Sequence, residues 1–244
     1  MSLLDLQTAV GRLVRATDGH DPLRGLQLDP DERARLAALV ERAGFRFTVD
    51  VQRSWCAGRA AGAAKLTLSL LPATERRRVL DDWVSAGGGT ASFVATEADA
   101  FLEFIARRLR APSHALTLCR FEQATLRASE GALGFAAPDP SWLAEPGWVL
   151  RTGRYAAVVR FHAAPHLVLA ALEGQPLPPI SPETTSVLFG PGLDGFSRLA
   201  TSAEVALWER LGAPEALPVL IREGHRQEVI EALVTPGIVE LAAT

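Results

Sequence analysis

This chain has few of the residues from which small catalytic and metal sites are built. It has 244 residues but only two cysteines, Cys56 and Cys119, so no disulfide framework is available, and in a reducing compartment each reads as a buried free thiol. No apolar run reaches the roughly 20 residues that a bilayer span needs, and the N-terminal MSLLDLQTAVGRLVRA is amphipathic, without the apolar core or cleavage site of a signal peptide. The expectation is a cytoplasmic protein with no membrane partner. Lysine is nearly absent: Lys65 is the single lysine among 25 basic residues. The net charge is −3. Residues 1–135 carry 18 basic and 16 acidic side chains, and 136–244 carry 7 and 12. Neither half has the cationic excess of a nucleic-acid surface. The arginine forks suit carboxylates, which leaves an acidic peptide as a partner.

The chain also lacks the motifs of the common enzyme classes. There is no G-x-S-x-G, and AGGGT follows a helical segment and has no lysine at the P-loop position. FGPGLDGF lacks the spacing and following helix of a dinucleotide fingerprint, so both glycine clusters read as loops. His162 and His166 have helical metal spacing, but Pro165 stands between them and no third ligand follows. His20 and His225 sit in polar surroundings and read as solvent-exposed. No catalytic residue, metal ligand or resident cofactor is expected in this chain.

What is present is a strong local pattern. Asp29-Pro30 is a helix cap followed by proline at the first helical position, and Leu36, Leu39, Val40 and Ala43 then keep helical spacing up to Gly44. Phe45, Phe47, Val49 and Val51 alternate, which predicts a short strand. ATERRRVLDDWVSA reads as a helix, and Thr96 as the cap of another, with arginines 107, 108 and 110 at its end. Pro112-Ser113 opens the helix HALTLCRFEQATLRASEG. There Cys119 falls on an apolar stripe, about 140 degrees round from His114, so the two cannot share an ion. Glu122 lies beside the same stripe, where a buried carboxylate needs a partner. An arginine is the first expectation and an acid–base role the second.

A proline-rich joint between 136 and 147 separates the halves. Beyond it RYAAVVRF alternates as a strand, with Tyr155, Ala157, Val159 and Phe161 on one face and Arg154, Val158 and Arg160 on the other. Helices follow at PHLVLAALEG, SAEVALWERL and HRQEVIEALV, with strands at TTSVLF, SRLA and GIVELA. The fold class is therefore α+β: a mainly helical domain over 1–135 and a small α+β recognition domain over 148–244. HRQEVIEALVTPGIVELA reads as a winged-helix-like element near the C-terminus. Glu223, Glu228, Glu231 and Glu240 offset its arginines, so it suits protein recognition better than DNA.

Two sets of residues are binding candidates. In QRSWCAGRA, Arg53, Trp55 and Arg59 combine cationic forks with a large aromatic, as partner-binding surfaces do. The alternative is ion pairing of the arginines within their own domain. On the strand, Arg154, Tyr155 and Arg160 could grip a peptide that adds to the sheet edge.

The helical N-terminal half, the LCRFEQA helix, the proline-rich joint and the α+β half with VVRFHAAPHLVLAALEGQPLP together resemble a known family. It comprises the companion subunits of multinuclear non-haem iron oxidases that modify peptides, of the methanobactin-biosynthesis (MbnC-like) type, with related proteins described as DNA-binding. The resemblance implies a non-catalytic subunit that binds a separate barrel-type iron oxidase and helps hold the leader of a ribosomally made precursor peptide. The iron would belong to that oxidase, which converts precursor cysteines to oxazolone and thioamide groups. The alternatives are a winged-helix transcriptional regulator and an enzyme of another kind.

Overall fold

In the computed structural model the chain forms an α+β fold, described here for residues 3–16, 21–89, 94–139, 141–142 and 147–243. His20 and part of the 136–147 joint lie outside the described residues. No helix among the described residues is long and apolar enough to cross a membrane. The chain divides into two compact units, one of residues 1–65 and 71–104, the other of 66–70 and 105–244. The short helix α4 (Lys65–Ser69) thus falls almost wholly in the second unit. The helix rich in candidate chemistry belongs there too, with the C-terminal sheets.

The first unit is built from α1 (Leu3–Val14), α2 (Pro30–Val40), α3 (Ala43–Ala63), α5 (Ala73–Ser85) and most of α6 (Val94–Ala106). Helix α2 starts where its sequence requires. Asp29 accepts from the Glu32 amide at 2.7 Å, and the Glu32 carboxylate returns the bond to the Asp29 amide at 3.1 Å. This reciprocal box satisfies two donors that a helix N-terminus leaves open. The helix ends at Val40, before Gly44.

The strand expected over 45–51 is not formed, because these residues are the first half of α3. A four-residue alternation is too short to compete with the alanine-rich segment that continues it, and no turn residue separates the two. Within the helix, Phe45 is buried, whereas Phe47 and Val51 face out. Thr96 likewise lies inside α6, which begins two residues earlier. Trp83 of α5 packs on Phe101 and Phe104 with ring centroids 5.3 and 5.2 Å away. A Cβ on Gly88 would stand 2.1 Å from the Trp83 ring, and one on Gly89 would stand 2.3 Å from the Cys56 sulfur. Residues 86–89 thus form a loop that must be small to lie on α3 and α5.

The second unit holds two three-stranded antiparallel sheets. One has the order β5 (Glu215–Ala216), β1 (Trp148–Thr152), β6 (Val239–Ala243). The other has the order β2 (Ala157–Phe161), β3 (Thr185–Phe189), β4 (Ser197–Leu199). Helix α7 (His114–Ala132), capped by Ser113, covers one face of the β2–β3–β4 sheet. Leu118, Val159, Phe161, Val187 and Phe189 form the core between them, with Phe121 edge-on to Phe161 and Phe189. The opposite side of that sheet presents Leu188 and Val158 to a second core. This core also contains α9 (Ser202–Arg210), α10 (Leu217–Arg222), α11 (Gln227–Val234), β1 and β6. The face expected to be polar is therefore half-covered. Pro165 starts α8 (Pro165–Ala171), as its position after the strand implies.

The helix–turn–strand at the C-terminus is formed by α11, a turn in which Gly237 takes φ +70, and β6. Its strand is not one arm of a local hairpin. β6 pairs with β1 from far upstream, Arg151 opposite Glu240, and the two side chains meet at 3.1 Å. Strand β1 and helix α10 carry no strong periodic signal in the sequence.

Cys119 is fully buried in α7. Cys119→Ser is expected to lower stability by about 1–3 kcal/mol, because a more polar hydroxyl replaces a thiol among apolar neighbours. Thermal denaturation checks this. A parent-like melt would show that the site tolerates the hydroxyl.

Candidate functional site

The three chemically capable residues of α7 do not converge. His114 Nε2 lies 2.8 Å from the Pro178 carbonyl oxygen. With the proton on Nε2, Nδ1 is a buried acceptor without a hydrogen bond. Cys119 points into the core. Glu122 reaches another element: one oxygen accepts from the Leu66 amide at 2.6 Å, the other from the Thr67 amide at 3.0 Å and the Thr67 hydroxyl at 2.6 Å. These donors open helix α4. Desolvation pushes the Glu122 carboxyl above its ordinary value and outweighs the three hydrogen bonds, which pull the other way. Glu122 is thus a side-chain cap for a distant helix start, built on amides and a hydroxyl. No group of three or more His, Cys, Asp or Glu side chains among the described residues is arranged to hold a metal ion. His162 instead places Nδ1 3.2 Å from the Ser181 carbonyl oxygen.

The candidate peptide site lies along the outer edge of β2. In an antiparallel ladder, alternate residues turn their backbone groups to one neighbour or the other. Ser186 of β3 accepts from the Ala200 amide on the β4 side at 2.9 Å. Its partner across β2, Arg160, therefore turns its own N–H and C=O away from β3. Val158, two residues earlier, does the same. Consistent with this, the Arg160 carbonyl accepts from the Thr117 hydroxyl at 3.4 Å, and the His162 carbonyl accepts from the Ser181 amide at 2.7 Å.

These outward groups face a groove of about 520 Å³. One wall is Val158, Val159, Arg160 and His162, and the other is Ser113, Leu116, Thr117 and Arg120 at the start of α7. The groove is open and bounded by the outer strand edge on one side and helix α7 on the other. An extended backbone can hydrogen-bond along such an edge while its side chains alternate between the walls.

Of the expected peptide residues, Arg160 borders this groove, and its guanidinium pairs with Glu209 of α9. Both side chains of that pair are half-exposed, so the pair is weak and exchangeable. Arg154 and Tyr155 precede the strand. Arg154 lies 5.2 Å over the Tyr155 ring, and its amide donates to Glu240 at 2.8 Å. Tyr155 borders a different, aromatic groove with Phe135, Pro138 and Trp148. The three residues are therefore not one site. Ser113, Thr117, Val158 and His162 were missed as groove residues, and only the alternation around Val158 gave a signal for any of them.

The expected partner-binding trio also separates. Arg53 donates to the Ser85 hydroxyl at 3.1 Å. Arg59 donates to the Gly89 carbonyl at 3.0 Å and pairs with buried Glu97 at 2.5 Å. Both arginines bind within their own unit, but only Arg59 does so through an ion pair, the alternative the sequence allowed. Trp55 alone is open, at 64% exposure.

Compared with models of known protein families and with curated proteins, the chain matches none.

Proposed function

We propose that this protein is a non-catalytic accessory subunit that holds an extended precursor peptide for a separate modifying enzyme. The observation that carries the reading is the outward-turned edge of β2 beside the groove. There Val158 and Arg160 offer backbone groups to an added strand, and Arg160 and Arg120 place cationic side chains at the walls. The pattern-level resemblance supplies the partner class. The enzyme is a barrel-type multinuclear iron oxidase that carries the iron, and the peptide is a ribosomally made precursor whose leader is gripped while its cysteines are modified.

Backbone pairing supplies affinity with little sequence preference, and the arginines bias it toward an acidic leader. Recruiting Arg160 requires it to exchange Glu209 for a leader carboxylate. Both lie at the solvent boundary, so the exchange costs little and depends on salt.

The test is fluorescence anisotropy with a labelled acidic leader peptide and the partner oxidase present. Charge reversal of Arg120 and Arg160 to glutamate is expected to weaken binding by about tenfold and to flatten its salt dependence, with the circular dichroism spectrum unchanged. Unchanged affinity would remove these two arginines from the site. Absence of leader binding by the wild-type complex would refute the function.

A further inference from the structure

Helix α3 has a face that the described chain leaves uncovered. Phe47, Val51 and Trp55 recur every fourth residue and are 69%, 51% and 64% exposed. Beside this ridge runs a second, at the same pitch, of the exposed small residues Ser54, Gly58 and Gly62. A Cβ added at Gly58 or Gly62 would meet nothing within 4 Å. Glycine in a helix interior costs about 1 kcal/mol relative to alanine, and no neighbour among the described residues requires the small size. The arginines of α3 stand off the face, and exposed Asp50 continues the small-residue ridge one turn before Ser54. Arg46 pairs with Glu41, and Arg53 and Arg59 bind Ser85, Gly89 and Glu97.

The structure points to a second copy of this chain as the occupant: we propose that α3 packs antiparallel on α3 of another copy, forming a two-fold homodimer. Size complementarity selects this partner. When the two helices run in opposite directions, Phe47 of one lies over Gly62 of the other and Val51 over Gly58, so bulk meets space at each level. Ser54 and Trp55 then fall at the two-fold axis. Contact over this length needs the two helices to cross at a shallow angle, about 20° from antiparallel, the geometry of most helical bundles. Charge permits it, because Asp50, the exposed carboxylate that continues the small-residue ridge, lies opposite Arg59 in this register rather than opposite its own copy.

Area permits it as well. An aromatic side chain covers roughly 150–250 Å² when fully buried, so at their exposures the four aromatics of two copies supply roughly 400–600 Å². Val51 and the close backbone approach at the glycines add to this; the total stays below the roughly 1,000 Å² of a stable interface and suits a weak dimer that dissociates on dilution. This dimer is independent of the peptide reading, since every residue in it belongs to the first unit and the β2 groove lies in the second.

Sedimentation velocity of the full chain over a concentration series is the test. The expected result is a two-chain species that dissociates on dilution. Gly58→Leu and Gly62→Leu, which fill the receiving space, are expected to raise the dissociation constant at least about tenfold. Their melting temperatures should be no lower than wild type, because a Cβ at either position meets nothing within 4 Å among the described residues and leucine is the better helix former. Ser54→Cys, near the axis, is expected to cross-link copy to copy under mild oxidation. Phe47→Cys, with its two positions at opposite ends of the contact, should not. The proposal is overturned by a monomer at every concentration, including one that associates only when a different protein is added. A dimer unaffected by Gly58→Leu, or cross-linking through Phe47→Cys, would overturn it too.

Discussion

Val158→Pro is expected to abolish strand addition at the groove, lowering affinity for the leader peptide by at least about tenfold, while the chain stays folded at a cost of about 1–2 kcal/mol from the altered contact with the second core. The Val158 amide faces away from β3, so proline removes no ladder bond there. The residue before it, Ala157, is already in strand conformation, as a residue preceding proline prefers. What proline removes is the donor an incoming strand would use, and its ring stands where that backbone must approach. Charge reversal at Arg160 perturbs only the side-chain contribution, so the proline variant should have the larger effect. Leader anisotropy alongside a thermal melt separates the outcomes. A folded variant with unchanged affinity would exclude β2 as the docking edge.

Glu122→Ala is expected to cost about 2–4 kcal/mol, the largest stability loss of the substitutions considered. It strips the acceptor from the Leu66 amide, the Thr67 amide and the fully buried Thr67 hydroxyl together, and each buried donor left without a partner carries its own desolvation penalty. Glu122→Gln keeps one acceptor oxygen but turns an NH₂ toward those donors, so about 1–3 kcal/mol is expected. The pH dependence has a definite sign. The folded-state carboxyl titrates above its ordinary 4.5, with burial as the largest cause, so between 4.5 and the raised value the unfolded chain has released a proton that the folded chain still holds. Wild-type stability therefore falls as pH rises through that window, and the Glu122→Gln substitution removes this contribution. Chemical denaturation of both proteins from acid to neutral pH measures it. Parallel pH profiles would contradict the assignment.

Much of the fold was legible because its signals are local. The Asp29-Pro30 cap with Glu32, the Ser113 cap, Pro165 at a helix start and the alternation through Val159 and Phe161 all involve residues within a few positions of one another. The misread segment, 45–51, failed for the same reason. Period-two alternation over four apolar residues is compatible with a strand, and only the packing of a 21-residue helix with Phe45 inward decided otherwise. The position of Glu122 beside an apolar stripe showed that it needs a partner, but its donors lie 55 and 56 positions away in the chain, beyond any spacing rule.

Composition and periodicity by themselves determined that the chain is α+β, where several helices start, that Cys119 lies on a core stripe and that RYAAVVRF contains a strand. They could do so because capping, propensity and burial periodicity act between near neighbours. Only the tertiary structure decided that β2 is an outer strand, that Arg160 meets Glu209 while Arg53 and Arg59 turn inward, and that Phe47, Val51 and Trp55 share an open face with Gly58 and Gly62. Strand order, ion-pair choice and exposure depend on which distant segments meet, and that is set by the packing of the whole unit rather than by any stretch of its sequence.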